Sequence, residues 1–178
     1  MVNAAEASSY GLEMELEVHP SEAVQFSAAL GLVDAEFRDY RDPVLRGMFG
    51  PNAGQFEFDG NDINFVPEFT ANLAAQFSLP WNLIMRWEVQ GIGDYWLDEA
   101  NTAEQDAYAL VNGRIGYTTD NWEVFVYARN LFDKEYTNNA LDLRYTDYSN
   151  PAAPRAAGMM IHQPGWPATY GVGLSARF

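Results

Sequence analysis

Cysteine, basic side chains and long apolar runs are scarce in this sequence. The 178-residue chain has no Cys, which excludes a disulfide framework, a thiolate metal site and a cysteine nucleophile. It has 10 Lys and Arg residues against 25 Asp and Glu residues, a formal net charge of -15, and this balance argues against nucleic acid as a partner. No segment approaches the roughly 18 apolar residues of a transmembrane helix. The N-terminus also lacks the basic and apolar segments of a secretory signal.

Two-residue alternation of apolar and polar side chains is the dominant pattern that the sequence does contain. In GLEMELEV, Leu12, Met14, Leu16 and Val18 alternate with three glutamates. A strand places these two sets on opposite faces, whereas a helix would scatter the glutamates around its circumference. The pattern predicts about seven strands, with the others near residues 24–32, 67–80, 83–96, 107–119, 122–132 and 170–178.

The predicted strands and their connections favour an up-and-down membrane barrel. Most strands approach the roughly 10 residues that a tilted strand needs to cross a bilayer. Tight turns near Pro20-Ser21, Pro80-Trp81 and Asp120-Asn121 alternate with longer connections at 37–64, 97–106 and 133–166. The last of these is predicted to be a loop without regular structure. We therefore predict an all-β, antiparallel, up-and-down transmembrane β-barrel segment of about seven long strands, a partial barrel.

The apolar faces of these strands are expected to contact lipid, and the polar faces an aqueous lumen. The polar faces combine small residues with charged ones, which stay hydrated in a lumen. Aromatic residues cluster at the predicted strand ends, as in the interfacial girdles of membrane barrels. These aromatic residues are Tyr10, Trp81, Tyr95, Trp96, Tyr117, Trp122, Tyr170 and Phe178. Alternation also fits a soluble antiparallel β-sandwich, a binding module or hydrolase whose polar faces meet bulk water.

Two segments resemble TonB-dependent outer-membrane receptors. YARNLFDKEY, residues 127–136, is similar to the NLFDKxY segment of that family, and GWPATYGVGLSARF resembles its closing strand. The family often has Arg after the proline of the closing motif, where this chain has Ala168. SYGLEMELEV, PEFTANLAAQF and LVNGRIGY resemble earlier strands, so the resemblance runs over nearly the whole chain in the expected order.

The resemblance implies an outer-membrane location in a Gram-negative bacterium and the uptake of a scarce nutrient, such as a ferric siderophore. Such receptors have a 22-stranded barrel, an N-terminal plug and a segment that contacts TonB. Seven strands would be the C-terminal part of that barrel, so residues 1–178 are expected to be a fragment without plug or signal peptide. Contact with TonB would then occur only through the missing N-terminal part. A complete small outer-membrane pore or adhesin is an alternative, although bacterial barrels have even strand numbers.

The resemblance also implies two sets of functional residues. The closing strand is the signal read by the outer-membrane assembly machinery, and we assign this role to Tyr170, Val172, Leu174 and Phe178. Outer loops of the family hold the ligand, and Arg and aromatic residues are enriched at recognition surfaces. In the loop at 133–166, the candidate ligand contacts are Arg144, Tyr145, Tyr148 and Trp166.

No segment of the sequence predicts a catalytic, metal or cofactor site. His19 and His162 are expected to be solvated loop histidines without metal partners. The row of Glu13, Glu15 and Glu17 fits a hydrated lumenal face better than an acid–base pair, because no apolar pocket surrounds it. DGND at 59–62 lacks the remaining ligands of a calcium loop, and GMFGPNAG lacks the following helix of a phosphate-binding loop.

Overall fold

The computed structural model describes residues 6–40, 57–142, 145–147, 155–157 and 159–176. Regular structure in these ranges is entirely β. The thirteen strands are β1 Glu6–Ser21, β2 Val24–Asp39, β3 Phe69–Leu79, β4 Leu83–Ile92, β5 Tyr95–Trp96, β6 Glu104–Gln105, β7 Tyr108–Thr118, β8 Trp122–Arg129, β9 Thr137–Asp142, β10 Tyr145–Asp147, β11 Arg155–Ala157, β12 Met160–Pro164 and β13 Thr169–Ala176. In the described part of the chain, no helix is long and apolar enough to cross a membrane.

Seven long strands form one antiparallel sheet in the order β1-β2-β3-β4-β7-β8-β13. Sequence neighbours are also neighbours in space, which confirms the predicted up-and-down arrangement. Within the described residues the sheet does not close, so β1 and β13 are its edges and the sheet is a partial barrel. Three further two-stranded sheets, β5-β6, β9-β12 and β10-β11, lie in the long connections.

Short turns lie at one end of the sheet, the turn end, and long connections lie at the other, the loop end. At the turn end, β3 and β4 are joined through Trp81 and Asn82, whose φ angles are 63° and 59°. Positive φ at both central residues is the requirement of a type I′ turn, whose twist matches that of the flanking strands. The loop end carries the connections at residues 40–68, 93–107 and 130–168.

Strand pairing places the alternating apolar residues on one continuous face. Leu16 pairs with Ala28, Ala28 with Leu73 and Leu73 with Val89, so one apolar row crosses four strands. At the far edge, Val126 pairs with Val172. Leu12, Val126 and Val172 are 53%, 52% and 73% exposed. They do not converge on a dry centre, so the apolar face is not the inside of a packed core.

Buried apolar side chains are few, and most lie at the loop end. Among the described residues they are Ala35, Phe37, Ala74, Tyr95 and Leu97. A soluble sandwich would bury the inner faces of two packed sheets, whereas this sheet is a single layer with its apolar face exposed. The soluble β-sandwich alternative therefore does not describe this fold.

Four details of the sequence prediction are wrong, three at the loop end and one at the turn end. The predicted strand at 83–96 ends at Ile92, and Tyr95 and Trp96 belong to the separate strand β5. Strand β8 ends at Arg129 rather than at residue 132. The connection at 133–166 contains β9 to β12 instead of being a loop without regular structure. His19 lies in β1 and not in a loop. Local hairpins form in the long connections because they satisfy backbone groups there.

Candidate functional site: the polar face, the loop end and the closing strand

The polar face of the sheet carries a hydrogen-bonded row of charged and amide side chains. Glu17 accepts a 2.8 Å hydrogen bond from Gln25 and lies 2.8 Å from His19 Nε2. Further along the sheet, Glu88 accepts hydrogen bonds from Asn72 at 3.2 Å and from Gln90 at 2.7 Å. These contacts link β1 with β2 and β3 with β4. They fit the hydrated, cross-strand-paired lumenal face that the sequence predicted.

A cluster of guanidinium groups lies on the same face, across β4, β7 and β8. Arg86 pairs directly opposite Arg114. Arg114 donates a 2.6 Å hydrogen bond to Glu123, and its guanidinium lies 3.9 Å from the centre of the Phe125 ring. Arg86 lies 3.7 Å from Glu88. The two carboxylates compensate the arginines in a chain whose overall charge is negative.

The loop end is held by a buried carboxylate. Asp98 is 2% exposed, and its oxygens accept hydrogen bonds from the backbone N–H groups of Thr102 and Ala103, both at 2.9 Å, and from the Thr102 hydroxyl at 2.7 Å. A buried carboxylate is tolerated only when such donors surround it. Asp98 therefore determines the conformation of the connection between β4 and β7.

This connection is in turn fastened to the connection between β2 and β3. The Asn101 side chain accepts a hydrogen bond from Asp62 N at 2.8 Å and donates one to Asp62 O at 3.0 Å. Trp96 Nε1 donates to the Asp62 carboxylate at 3.0 Å. Asn61 donates to Glu99 O at 2.8 Å. Two connections that are distant in sequence therefore form one hydrogen-bonded unit, which we call the loop lock: residues 57–68 with residues 93–106.

The loop lock borders an acidic cleft of about 690 Å³. Its carboxylates are Asp34, Asp62, Glu68, Asp94 and Glu104. Desolvation, together with hydrogen bonding to Asp94, raises the pKa of Glu104 above its ordinary value. Nearby, burial raises the pKa of Tyr95, whose hydroxyl donates a 2.8 Å hydrogen bond to Thr137 O.

Of the predicted ligand contacts, only Trp166 has a described side chain. It is 81% exposed and lines a 730 Å³ cleft at the loop end, together with Lys134, Tyr136 and His162. Tyr145 lies in β10, where only its backbone is described. Arg144 and Tyr148 lie outside the described residues, so the joint ligand contact of the four residues stays a prediction.

The predicted assembly residues lie on the exposed apolar face of β13. Tyr170, Val172 and Leu174 are 65%, 73% and 74% exposed and alternate with Gly171 and Gly173, which lie on the polar face. Phe178 lies outside the described residues. The terminal strand thus presents to the surroundings the apolar row that the sequence predicted.

The NLFDK segment forms a clamp on the start of β13. Asn130 is 4% exposed, and its side-chain amide donates 3.0 Å hydrogen bonds to Lys134 O and to Trp166 O. Its side-chain oxygen accepts a hydrogen bond from Lys134 N at 2.9 Å. Asp133 accepts a 2.7 Å hydrogen bond from Ala168 N. The two motifs of the sequence analysis are therefore adjacent in space, and we call this contact the closing clamp.

The sequence of NLFDKEY indicates a family resemblance but does not reveal what its residues contact. The positive φ angles of Asn130, 47°, and Asp133, 51°, explain why Asn and Asp occupy these positions, since both tolerate the left-handed region. Asp98 was missed altogether. A single Asp in a polar loop gives no sequence signal that its side chain is buried.

A single-layer antiparallel sheet with an exposed apolar face and a polar face is the wall of a membrane β-barrel. A family model described as "TonB dependent receptor-like, beta-barrel" matches residues 1–131, more than half of the chain. The chain belongs to this family. The pesticin receptor of Yersinia pestis is 28% identical over 102 residues, which cover 55% of this chain and 15% of that protein.

Solved structures agree on the fold. The ferric yersiniabactin uptake receptor FyuA from Yersinia pestis matches with a TM-score of 0.72 and 19% identity, over 94% of this chain and 23% of its own length. The siderophore receptor PiuA from Acinetobacter baumannii matches with a TM-score of 0.69 and 17% identity, over 94% and 21%. The ferric citrate transporter FecA matches with a TM-score of 0.63 and 17% identity, over 95% and 24%. The chain thus spans less than a quarter of the length of these receptors.

Proposed function

We propose that this chain forms part of the barrel wall and the outer loops of a TonB-dependent outer-membrane receptor that imports a ferric chelate, such as a ferric siderophore. The observation that carries the proposal is the two-faced single-layer sheet, whose exposed apolar row continues across the strands while its opposite face carries paired charges. One side of such a sheet suits hydrocarbon and the other suits water. The chain itself would supply structure and ligand contacts rather than catalysis.

Iron is favoured as the cargo by the relatives. The structures that resemble this chain include receptors or transporters for ferric yersiniabactin and ferric citrate. We propose that Arg144, Tyr145, Tyr148 and Trp166 contact the chelate from the loop end. The exposed indole of Trp166, which lines a cleft of 730 Å³, supports this placement. TonB would supply the energy for transport, through contact with a part of the receptor outside residues 1–178.

Uptake of radiolabelled iron tests the cargo. A strain lacking the native polypeptide and the same strain with the gene restored would be supplied with ferric citrate and with catecholate and hydroxamate ferric chelates, and cobalamin uptake would serve as the control. We expect iron uptake from at least one chelate to require both the polypeptide and TonB. Loss of cobalamin uptake alone would assign another nutrient, and no change in either would refute the transport function.

We also propose that Tyr170, Val172, Leu174 and Phe178 are read by the outer-membrane assembly machinery. The exposed apolar row on β13 supports this role for the first three residues. Deletion of Phe178 in the native polypeptide should sharply reduce heat-modifiable, surface-accessible receptor. Phe132→Ala is the control, because it removes an equally apolar side chain that is 75% exposed in a connection without shifting the neighbouring residues along the chain. Normal receptor levels without Phe178 would contradict the role.

A further inference from the structure

The pairing of β8 with β13 lacks a tight turn to set its register. The connection between them spans residues 130–168, whereas β7 and β8 are joined by three residues. Turn type and loop length normally fix hairpin register, and a slip by one residue moves every side chain to the opposite face. A slip by two residues preserves the faces, so side-chain contacts must discriminate against it.

Two aromatic rings on β8 lie directly over two glycines on β13. Tyr127 pairs with Gly171 and Phe125 pairs with Gly173, all on the polar face. A Cβ placed on Gly171 would lie 2.5 Å from Cζ of Tyr127, and one placed on Gly173 would overlap the Phe125 ring. The rings thus occupy the space that side chains on β13 would fill. Aromatic coverage of glycine is a recognised way of fixing strand register.

Only the observed register places both rings over glycine. A slip of two residues in one direction would set Phe125 opposite Ser175, and a slip in the other direction would set Tyr127 opposite Thr169, as follows from the observed pairs. In each case one ring meets a residue that carries a side chain. Three registers keep the faces unchanged: the observed one and the two slips by two residues. The spacing of the two rings and the two glycines favours the observed register over both slips.

The closing clamp anchors the same register at the loop end. Asn130 and Asp133 hold Trp166 and Ala168 by hydrogen bonds at 3.0 and 2.7 Å. The Tyr170 hydroxyl also donates to Leu131 O at 3.3 Å. These contacts position the entry to β13, two residues before the first glycine that a ring covers.

A comparable contact occurs at another boundary with a long connection. Trp87 on β4 pairs with Gly113 on β7, and a Cβ on Gly113 would lie 2.6 Å from the indole ring. The connection between these strands spans residues 93–107. Ring-over-glycine contacts are not confined to strands without a tight turn, because a Cβ on Gly93 would lie 2.9 Å from the Phe69 ring beside the β3–β4 pair.

We propose that the paired contacts Phe125–Gly173 and Tyr127–Gly171, together with the closing clamp, set the register of the terminal strand and act as its positioning residues during barrel assembly. This role is independent of the cargo, so it is separable from the proposed transport function. It assigns a task to the polar side of β13, whereas the assembly signal proposed above lies on the apolar side.

Disulfide trapping in the native polypeptide tests the register. The sequence given has no Cys, so introduced pairs have no competing thiol within it. Three double variants are needed: Val126→Cys with Val172→Cys reports the observed register, and Val126→Cys with Leu174→Cys or with Tyr170→Cys reports the two slips. Opposed residues lie within disulfide reach, whereas diagonal neighbours roughly 7–8 Å apart do not. We expect only the Val126–Val172 pair to cross-link.

In a second experiment, both glycines are replaced by valine, which has a branched side chain. Gly171→Val together with Gly173→Val should abolish the Val126–Val172 cross-link and produce a slipped one or a loss of folded barrel. Ser175→Val is the matched control, since it adds the same side chain on the same face opposite Glu123 rather than opposite a ring. An unchanged cross-link in the glycine variant, with normal amounts of folded barrel, would overturn the proposal.

A reciprocal exchange distinguishes register from a general loss of folding. Gly173→Phe alone should lose the Val126–Val172 cross-link, because two rings would compete for one space. Adding Phe125→Gly moves the ring to β13 over a glycine on β8 and should restore the cross-link. Failure of this double variant to improve on Gly173→Phe would refute the positioning role, even if every single variant fails to fold.

Discussion

The seven-stranded sheet and the loop end are stabilised in different ways. The sheet is one layer thick, and apolar side chains such as Leu73 and Val172 are 56% and 73% exposed on it. The loop end holds four of the five buried apolar residues among those described, and also the buried polar residues Asp98 and Asn130. The sheet is stabilised by backbone hydrogen bonds between its strands and by the surroundings of each face. The loop end depends on its own packing and on side-chain hydrogen bonds.

This difference shows where specificity of structure is encoded. A residue in the sheet needs only the right polarity for its face, so the alternation tolerates many substitutions. A residue of the loop lock or the closing clamp needs a particular hydrogen-bonding shape, because its side chain bonds specific backbone groups of a neighbouring connection. In the sheet, a substitution should therefore reduce stability when it changes the polarity of a side chain. At the loop end, a substitution should reduce stability when it changes the hydrogen-bonding geometry.

The largest effect should come from placing a charge on the apolar face. Leu73→Arg, on the interior strand β3, should cost roughly 2–4 kcal/mol of folding free energy near mid-bilayer. Asn72→Arg is the matched control on the other face of the same strand, next to Glu88, and should be much milder. The measurement is reversible urea unfolding in lipid vesicles. Equal losses for the two variants would mean that the faces are assigned the wrong way round.

Loss of the closing clamp should have the second largest effect on stability. Asn130→Ala removes the acceptor of Lys134 N and two donors, and it places Ala at a φ of 47°, so we expect a loss of about 2–3 kcal/mol. Asn130→Gly tolerates the same φ and isolates the hydrogen-bond contribution, so it should lose less. Urea unfolding in vesicles measures both. A stability equal to that of the unmodified chain would show that the clamp is dispensable.

Loss of the Asp98 carboxylate should destabilise the loop lock without unfolding the sheet. Asp98→Ala leaves three half-buried donors without the carboxylate, at a cost of about 1 kcal/mol. Hydrogen exchange should accelerate at residues 93–106 and 57–68, while the amides of β3 and β4 stay protected. Asp98→Asn retains one acceptor oxygen and should have the smaller effect. Uniform acceleration through the sheet would show that loop end and sheet unfold as one unit.

The smallest effect is expected at the half-exposed ion pair of the polar face. The side chains of Arg114 and Glu123 are 43% and 28% exposed, and pairs of this kind contribute about 0–1 kcal/mol because water and salt screen them. Glu123→Gln retains a hydrogen-bond acceptor and should change the unfolding free energy little. The change should disappear at high salt. A large, salt-independent loss would identify this pair as a buried structural contact.

The sequence predicted the sheet well and the loop end poorly. Alternation gave the seven strands of the large sheet and placed Leu12, Val126 and Val172 on its apolar face, since side chains of a strand point to opposite faces every second residue. It did not reveal that Tyr95 leaves the sheet for β5, or that Asp98 is buried. Those outcomes depend on partners that are far away in the sequence, such as Asp62 and Asn101 in the loop lock.

Sequence by itself determined which side of each strand is apolar and where the chain turns, because both follow from local chemistry that neighbouring residues carry. Only the tertiary structure decided what Asn130, Asp133 and the glycines of β13 do. Their role arises from contacts between β8 and a strand reached through residues 130–168, and the free energy of such contacts depends on which strands become neighbours.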